Sequence, residues 1–444
     1  MKSHVAWSLL VAASSVIQAQ DISDLLPALK TLPAPASVQE GVRFSYYGSI
    51  GDIPNDDYSK WAGDNGEWDY NTAPSGHGYT QIDVVAVSQG VAALSLQAWQ
   101  YLDWSGPLLP LRGGQSSLVC YAGGGDWWVH PQALAQAQAT QTDELTILKV
   151  NHILDGVGHA ALRIQRVLPG SRTAMVYDLQ TGMLLFKGTA VQTANTTFAS
   201  QIYYKGSRQL PFAGGGQPTP AWLRAGVAWD YAGTYTVEVW GNAPFNLPLS
   251  AHVQIQRAGD RWFAYDQTTT LQSINGLPPT VEKTSLVGGD NLYIAPQTLR
   301  ALRTGTVLDT DPITGARLAV TQTGATVTLE SSAGGRSTTE FDFDIATGIM
   351  NGFRSRDTTD PLSTTSSRLT IVQMPNTTST AAPELQIARQ GNQIRLRSKD
   401  EGAYTISATF DGRRWEKVGT LDAGQEWADT VNPQRPSVWY RLEF

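Results

Sequence analysis

The chain states one long passage twice, and a duplication on this scale constrains the fold more than any single motif does. Three anchors carry it. PASVQEGVRFSYYG (35–48) aligns without gaps on PAWLRAGVAWDYAG (220–233), placing Gly41 on Gly226, Tyr46 on Tyr231 and Gly48 on Gly233. GGGDWWVHPQALAQ (123–136) aligns on GGDNLYIAPQTLRA (288–301), with Pro131 on Pro296. YDLQTGMLL (177–185) aligns on FDIATGIMN (343–351), with Asp178 on Asp344 and Gly182 on Gly348. A repeat this long implies two duplicated domains, not a solenoid of short units.

Both copies alternate apolar and polar residues with period two. Val253 and Ile255, Leu318 and Val320, Val327 and Leu329, and Phe341, Phe343 and Ile345 are examples. Such runs predict half-buried strands. D-x-x-T-G occurs at 178–182, 311–315 and 344–348. Its Asp can accept backbone N–H bonds, and its Gly suits the left-handed residue that closes a hairpin. These aspartates are expected to shape turns, and Asp155-Gly156 is a further tight-turn signal. The Pro of the second anchor predicts a short helix starting at its first position. The fold class is therefore mainly β, with two duplicated antiparallel β domains and short helices.

What differs between the copies marks candidate chemistry. His130 falls on Ala295, and Trp127 and Trp128 lie against Asn291, Leu292 and Tyr293. The first copy is longer between its first two anchors, and the segment 54–78, PNDDYSKWAGDNGEWDYNTAPSGHG, is its apparent insertion. Loops carry binding residues more often than the scaffold does. Asp56, Asp57, Asp64, Glu67 and Asp69 offer oxygen ligands suited to calcium, without the EF-hand spacing. Trp61, Trp68 and Tyr70 could stack on sugar rings, with Trp128 and His130 as further ligand-binding candidates. No other cofactor is expected. If 127–128 is a strand, only one tryptophan of the pair faces any given site.

The first twenty residues, MKSHVAWSLLVAASSVIQAQ, have the layout of a signal peptide cleaved after Ala19. That points to a secreted, periplasmic or envelope setting with no transmembrane segment in the mature chain. Cys120 is the single cysteine, so apolar burial, not a disulfide, must hold the fold together, and Cys120 itself is expected to be buried. A net charge of −7 without a basic cluster argues against nucleic acid as a partner.

The domain plan is a signal peptide (1–19), an N-terminal linker (20–34), repeat A (35–206), a linker (207–219), repeat B (220–373), a Thr/Pro spacer (374–384) and a C-terminal segment (385–444). In that last segment, AYTISATFDGRRWEKVGTL (403–421) and VWYRLEF (438–444) resemble the small immunoglobulin-like or fibronectin-like β-sandwich modules of secreted bacterial proteins. The resemblance implies a β-sandwich with Trp415 in its core and a spacer, docking or surface-attachment role. The strand-rich copies with their D-x-x-T-G hairpins faintly resemble LolA-like periplasmic lipoprotein carriers, whose antiparallel half-barrels hold lipid in an apolar concavity. The long helices of that family are not evident here.

The leading functional reading is a non-enzymatic binding protein with a hydrophobic small molecule or lipid held in the duplicated β scaffold. The alternative is a glycan- or protein-binding surface built on loop 54–78. A polysaccharide-active hydrolase comes third. Asp126 and Glu67 could pair as glycosidase acids, and His77, His130, His152 and His159 fall in copy one, but no G-x-S-x-G elbow or H-E-x-x-H motif occurs.

Overall fold

The computed structural model describes residues 22–53, 76–88, 90–101, 106–192, 197–212, 217–273, 278–288, 292–360, 362–372 and 374–375, together with six strands of the C-terminal segment. By its internal contacts the chain forms two compact units, one holding both repeats and the other holding 220–227 with 375–444.

Each repeat is one antiparallel sheet of ten strands. The first contains β1 (Val42–Ile53), β2 (Gly76–Ser88), β3 (Val91–Tyr101), β4 (Leu108–Tyr121), β5 (Thr140–Gln141), β6 (Leu145–Leu154), β7 (Val157–Leu168), β8 (Ser171–Asp178), β9 (Leu184–Gln192) and β10 (Thr197–Gln209). The second contains β11 (Ala228–Val239), β12 (Phe245–Ala258), β13 (Phe263–Leu271), β14 (Thr280–Val287), β15 (Val307–Thr310), β16 (Arg317–Gln322), β17 (Thr326–Ala333), β18 (Ser337–Asp344), β19 (Met350–Asp357) and β20 (Ser363–Ile371). The spatial orders are β4-β3-β2-β1-β10-β9-β8-β7-β6-β5 and β14-β13-β12-β11-β20-β19-β18-β17-β16-β15. Strand for strand these are one topology, so the sequence duplication is a duplication of architecture.

That topology forces each sheet to curl. β4 and β5 are the opposite edges of the first sheet, yet consecutive in the chain, so residues 122–139 must cross between them. The crossing strap carries the second anchor and the short helix α2 (Pro131–Gln136); its counterpart is α3 (Pro296–Ala301). One apolar core joins Phe44 and Tyr46 of β1, Ile82 of β2, Ile164 of β7 and Tyr177 of β8 to Trp128 and Leu134 of the strap. Side chains from both arms of the sheet can share a core only if the sheet wraps around it.

The turn chemistry follows the sequence. In all three D-x-x-T-G turns one Asp oxygen accepts from two backbone N–H groups and the Thr hydroxyl, as Asp178 does from Gln180, Thr181 and the Thr181 Oγ1 at 2.7–3.0 Å. Asp311 and Asp344 repeat the pattern. Gly182, Gly315 and Gly348 have φ of 78°, 68° and 79°. Asp155 and Gly156, at 50° and 82°, form the tight hairpin between β6 and β7.

Residues 22–34, expected as a linker, are instead part of the core of the first repeat. The helix α1 (Ile22–Leu25) and a 3-10 turn at Pro27–Lys30 fill the concavity of that sheet with Ile22, Leu26 and Leu29. A short segment of ordinary aliphatics and prolines gives no period to read, which is why the sequence leaves it as linker. The insertion is also shorter than 54–78, because Gly76, His77 and Gly78 already belong to β2. At the other end of the repeat, β10 continues past 206 to Gln209.

The C-terminal unit contains two three-stranded antiparallel sheets. One orders β21 (Leu385–Gln390), β22 (Gln393–Ser398) and β25 (Glu426–Thr430); the other orders β24 (Glu416–Leu421), β23 (Tyr404–Thr409) and β26 (Trp439–Glu443). Leu396 and Ile406, one from each sheet, are buried. Trp415 lies outside the described residues. Among the described residues no helix is long and apolar enough to cross a membrane.

Candidate functional site

The concavities of the two repeats are filled differently. In the first, the N-terminal segment and the strap close the core. In the second, a cavity of about 490 Å³ remains, a volume typical of small-molecule sites. Its walls follow from strand register. Leu329, Phe341, Phe353 and Leu369 stand directly opposite one another across β17, β18, β19 and β20 and make an apolar belt. Phe341 and Phe353 meet with ring centroids 5.8 Å apart. Two residues along the strands, Ser331 pairs with Thr339, and both face the cavity. Period-two alternation places both belts on the same face.

The opposite wall comes from the outer face of the first repeat. Ser95, Gln97 and Trp99 of β3 and Gln115 of β4 line the cavity. Trp99, Leu108 and Ala333 pack in one buried cluster, which joins the two repeats beside it.

A buried charge network closes one side of the cavity. Asp311 is only 2% exposed. Its Oδ1 is committed to its own turn, while its Oδ2 accepts from Arg43 Nη1 at 3.0 Å, Gln81 Nε2 at 3.0 Å and Arg208 Nη2 at 2.9 Å. All three donors belong to the first repeat. Arg43 also forks onto Asp83 at 2.6 and 2.7 Å, and Arg208 onto Asp309 at 2.9 and 2.6 Å. Burial alone would raise the Asp311 carboxyl; the Thr314 N–H and the guanidinium groups of Arg208 and Arg43 reverse that and hold it well below the usual carboxylate range. Bidentate, desolvated pairs of this kind fix geometry as much as they supply energy.

The residues singled out from sequence lie elsewhere. Trp128 is fully buried, with its Nε1 donating to the Ala122 carbonyl at 3.0 Å and its ring against Phe44. Trp127 is buried too, against Tyr46, so both members of the pair are core. The strap bends back on itself here instead of running as a strand, so alternation does not separate them. His130 is a helix cap: its Nδ1 accepts from the backbone N–H of Gln132 at 3.1 Å. Ala295 makes no such side-chain cap in the second copy. The difference between the copies at the second anchor is thus, for Trp127, Trp128 and His130, a difference in packing and capping.

Trp61, Trp68, Tyr70, Asp56, Asp57, Asp64, Glu67 and Asp69 lie outside the described residues, and so do the glycan and calcium readings that rest on them. Among the described residues no group of three or more His, Cys, Asp or Glu could hold a metal ion. Asp126 bonds Lys187 Nζ at 2.9 Å, with that ammonium also 5.9 Å from the Trp127 ring centre. His159 Nδ1 lies 3.0 Å from Asp178 Oδ2, His152 is buried against Phe186, and His77 stacks on Tyr101. Cys120 is half-buried on β4, not fully enclosed.

The cavity itself was not visible to motif reading. The one signal in sequence was the apolar alternation of Leu329, Phe341 and Phe343, which marked inward strands without saying that nothing fills the space before them.

No family model matches the chain, and no curated protein matches it. Among solved structures it is similar to a protein of unknown function from the DUF3598 family of Nostoc punctiforme PCC 73102, at 11% identity, 78% coverage of this chain, 98% of that chain and a TM-score of 0.13. It is also similar to MucB in complex with MucA(peri), at 10% identity, 78% and 90% coverage and a TM-score of 0.19. A third likeness is to intact Ap-TbpB with its N and C lobes, at 8% identity, 76% and 78% coverage and a TM-score of 0.11. Values this low assign neither fold nor function.

Proposed function

We propose that this chain is a non-enzymatic binding protein that holds an apolar or lipid-like ligand in the concavity of its second repeat. The observation that carries the reading is the asymmetry between two sheets of one topology. The first concavity is filled by Ile22, Leu26 and Leu29, and the second keeps a cavity of about 490 Å³ faced by Phe341, Phe353 and Leu369. Burying an apolar ligand there is favoured by roughly 25 cal/mol per Å² of surface removed from water. A secreted or periplasmic setting belongs to this reading, and the signal-like composition of the first nineteen residues supports it.

Native mass spectrometry of the purified full chain, before and after delipidation, tests the proposal. The expected result is one apolar adduct per chain that delipidation removes and that returns when lipid extract is added. A chain that shows no adduct and takes up no hydrophobic probe overturns it.

A further inference from the structure

The cavity wall also bears on the head group of the ligand, an inference that rests on the cavity reading above. We infer that the site takes an uncharged amphiphile with a hydroxyl or ester head, and discriminates against fatty acids and amines of the same chain length.

Two observations carry this. First, the charges at the wall are spent on one another. Both oxygens of Asp83 accept from Arg43 and both oxygens of Asp309 from Arg208. Asp311 divides its oxygens between its turn and the two arginines with Gln81. Two guanidinium groups against three carboxylates leave the network one negative charge in excess. An anionic head brought beside it meets like charge, and a cationic head gives up its hydration to reach carboxylates that the guanidinium groups already neutralise in part. The further cation at the lining, Arg317, is on the exposed rim, where water screens it.

Second, the apolar belt is followed along the strands by uncharged polar groups. Ser331 and Thr339 face the cavity as a cross-strand pair, and Ser337 lies two residues beyond Thr339 on the same face. Gln115 faces the cavity from the wall of the first repeat. The hydroxyls of Ser331, Ser337 and Thr339 each supply a donor and an acceptor without charge. A chain lying on Phe341 and Phe353 would present its head to this belt, two residues away along the strand, or roughly 7 Å.

The test is a binding panel on the full chain with dodecanol, dodecanoate, dodecylammonium and dodecane, by calorimetric titration at neutral pH. Dodecanol is expected to bind at least tenfold more tightly than either ion. Thr339→Val with Ser331→Ala is expected to weaken dodecanol about threefold to tenfold while leaving dodecane unchanged, the loss of one or two modest hydrogen bonds. Dodecanoate or dodecylammonium binding as tightly as dodecanol overturns the inference while the cavity reading stands. Failure of all four, dodecane included, overturns the cavity reading itself and the inference with it. If the double variant does not fold, the wild-type panel alone decides.

Discussion

The backbone N–H of Val129 donates to the carbonyl of Gly182 at 2.8 Å, and in the second repeat Ile294 donates to Gly348 at 2.9 Å. These bonds join the second and third sequence anchors, which are therefore one structural feature: the strap that crosses the sheet docks on the D-x-x-T-G turn. Leu184 and Met350 return the contact by donating to Trp127 and Leu292 at 3.0 and 2.9 Å. A Cβ at Gly182 would lie 2.2 Å from the Val129 carbonyl oxygen, and one at Gly348 would lie 2.3 Å from that of Ile294. Gly315 has the same positive φ, with nothing within 4 Å.

Replacing these glycines separates the two demands. Gly315→Ala is expected to cost about 1–2 kcal/mol, the left-handed conformation alone. Gly182→Ala and Gly348→Ala should cost a further 1–3 kcal/mol or more, because the strap must also move. Thermal or urea unfolding of the three variants measures the difference. Equal losses at all three positions would mean that strap docking contributes nothing.

The turn aspartates share a role, but Asp311 alone spans the repeats through Arg43 and Arg208. Asp311→Asn keeps an oxygen for the turn and removes the charge, leaving Arg208 and Arg43 short of a partner. A loss of about 3–5 kcal/mol is expected. Asp344→Asn, whose side chain accepts from Ala346, Thr347 and the Thr347 hydroxyl of its own turn, is expected to cost about 1 kcal/mol. Similar losses in denaturant unfolding would remove the network from the account of how the repeats are joined.

Much of this was legible in the sequence. Asp178, Asp311 and Asp344 were readable as turn residues because D-x-x-T-G states its hydrogen bonds locally. Trp128 and His130 were misleading for the same local reason: an aromatic, an imidazole and glycines side by side look like chemistry, whereas burial and the Gln132 N–H decide their roles. The Arg43–Asp311 pair joins positions 268 apart, and no period or motif connects them. The cavity was least legible of all, since it depends on which repeat has a segment to fill it.

His152 is fully buried, and burial followed by the nearby His159 lowers its pKa; burial also lowers that of His77. Both groups stay neutral in the folded chain at pH values where the unfolded chain takes up a proton. Their contribution is present above the unfolded value of about 6.5 and is lost as pH falls through it, at up to about 1.4 kcal/mol per pH unit for each proton. Denaturant unfolding from pH 7.5 to 5.5 should show stability falling with pH, and His152→Leu should flatten part of the slope. An unchanged slope in His152→Leu would contradict the assignment.

Locating a ligand tests the central claim most directly. Crystals grown with 12-bromododecanol give an anomalous signal at the bromine. Bound chain is predicted between the Phe341–Phe353 pair of the second repeat and the β3–β4 face of the first, with none in the concavity that Leu26 and Leu29 fill. Bromine density in the first concavity, or outside both, would contradict the account.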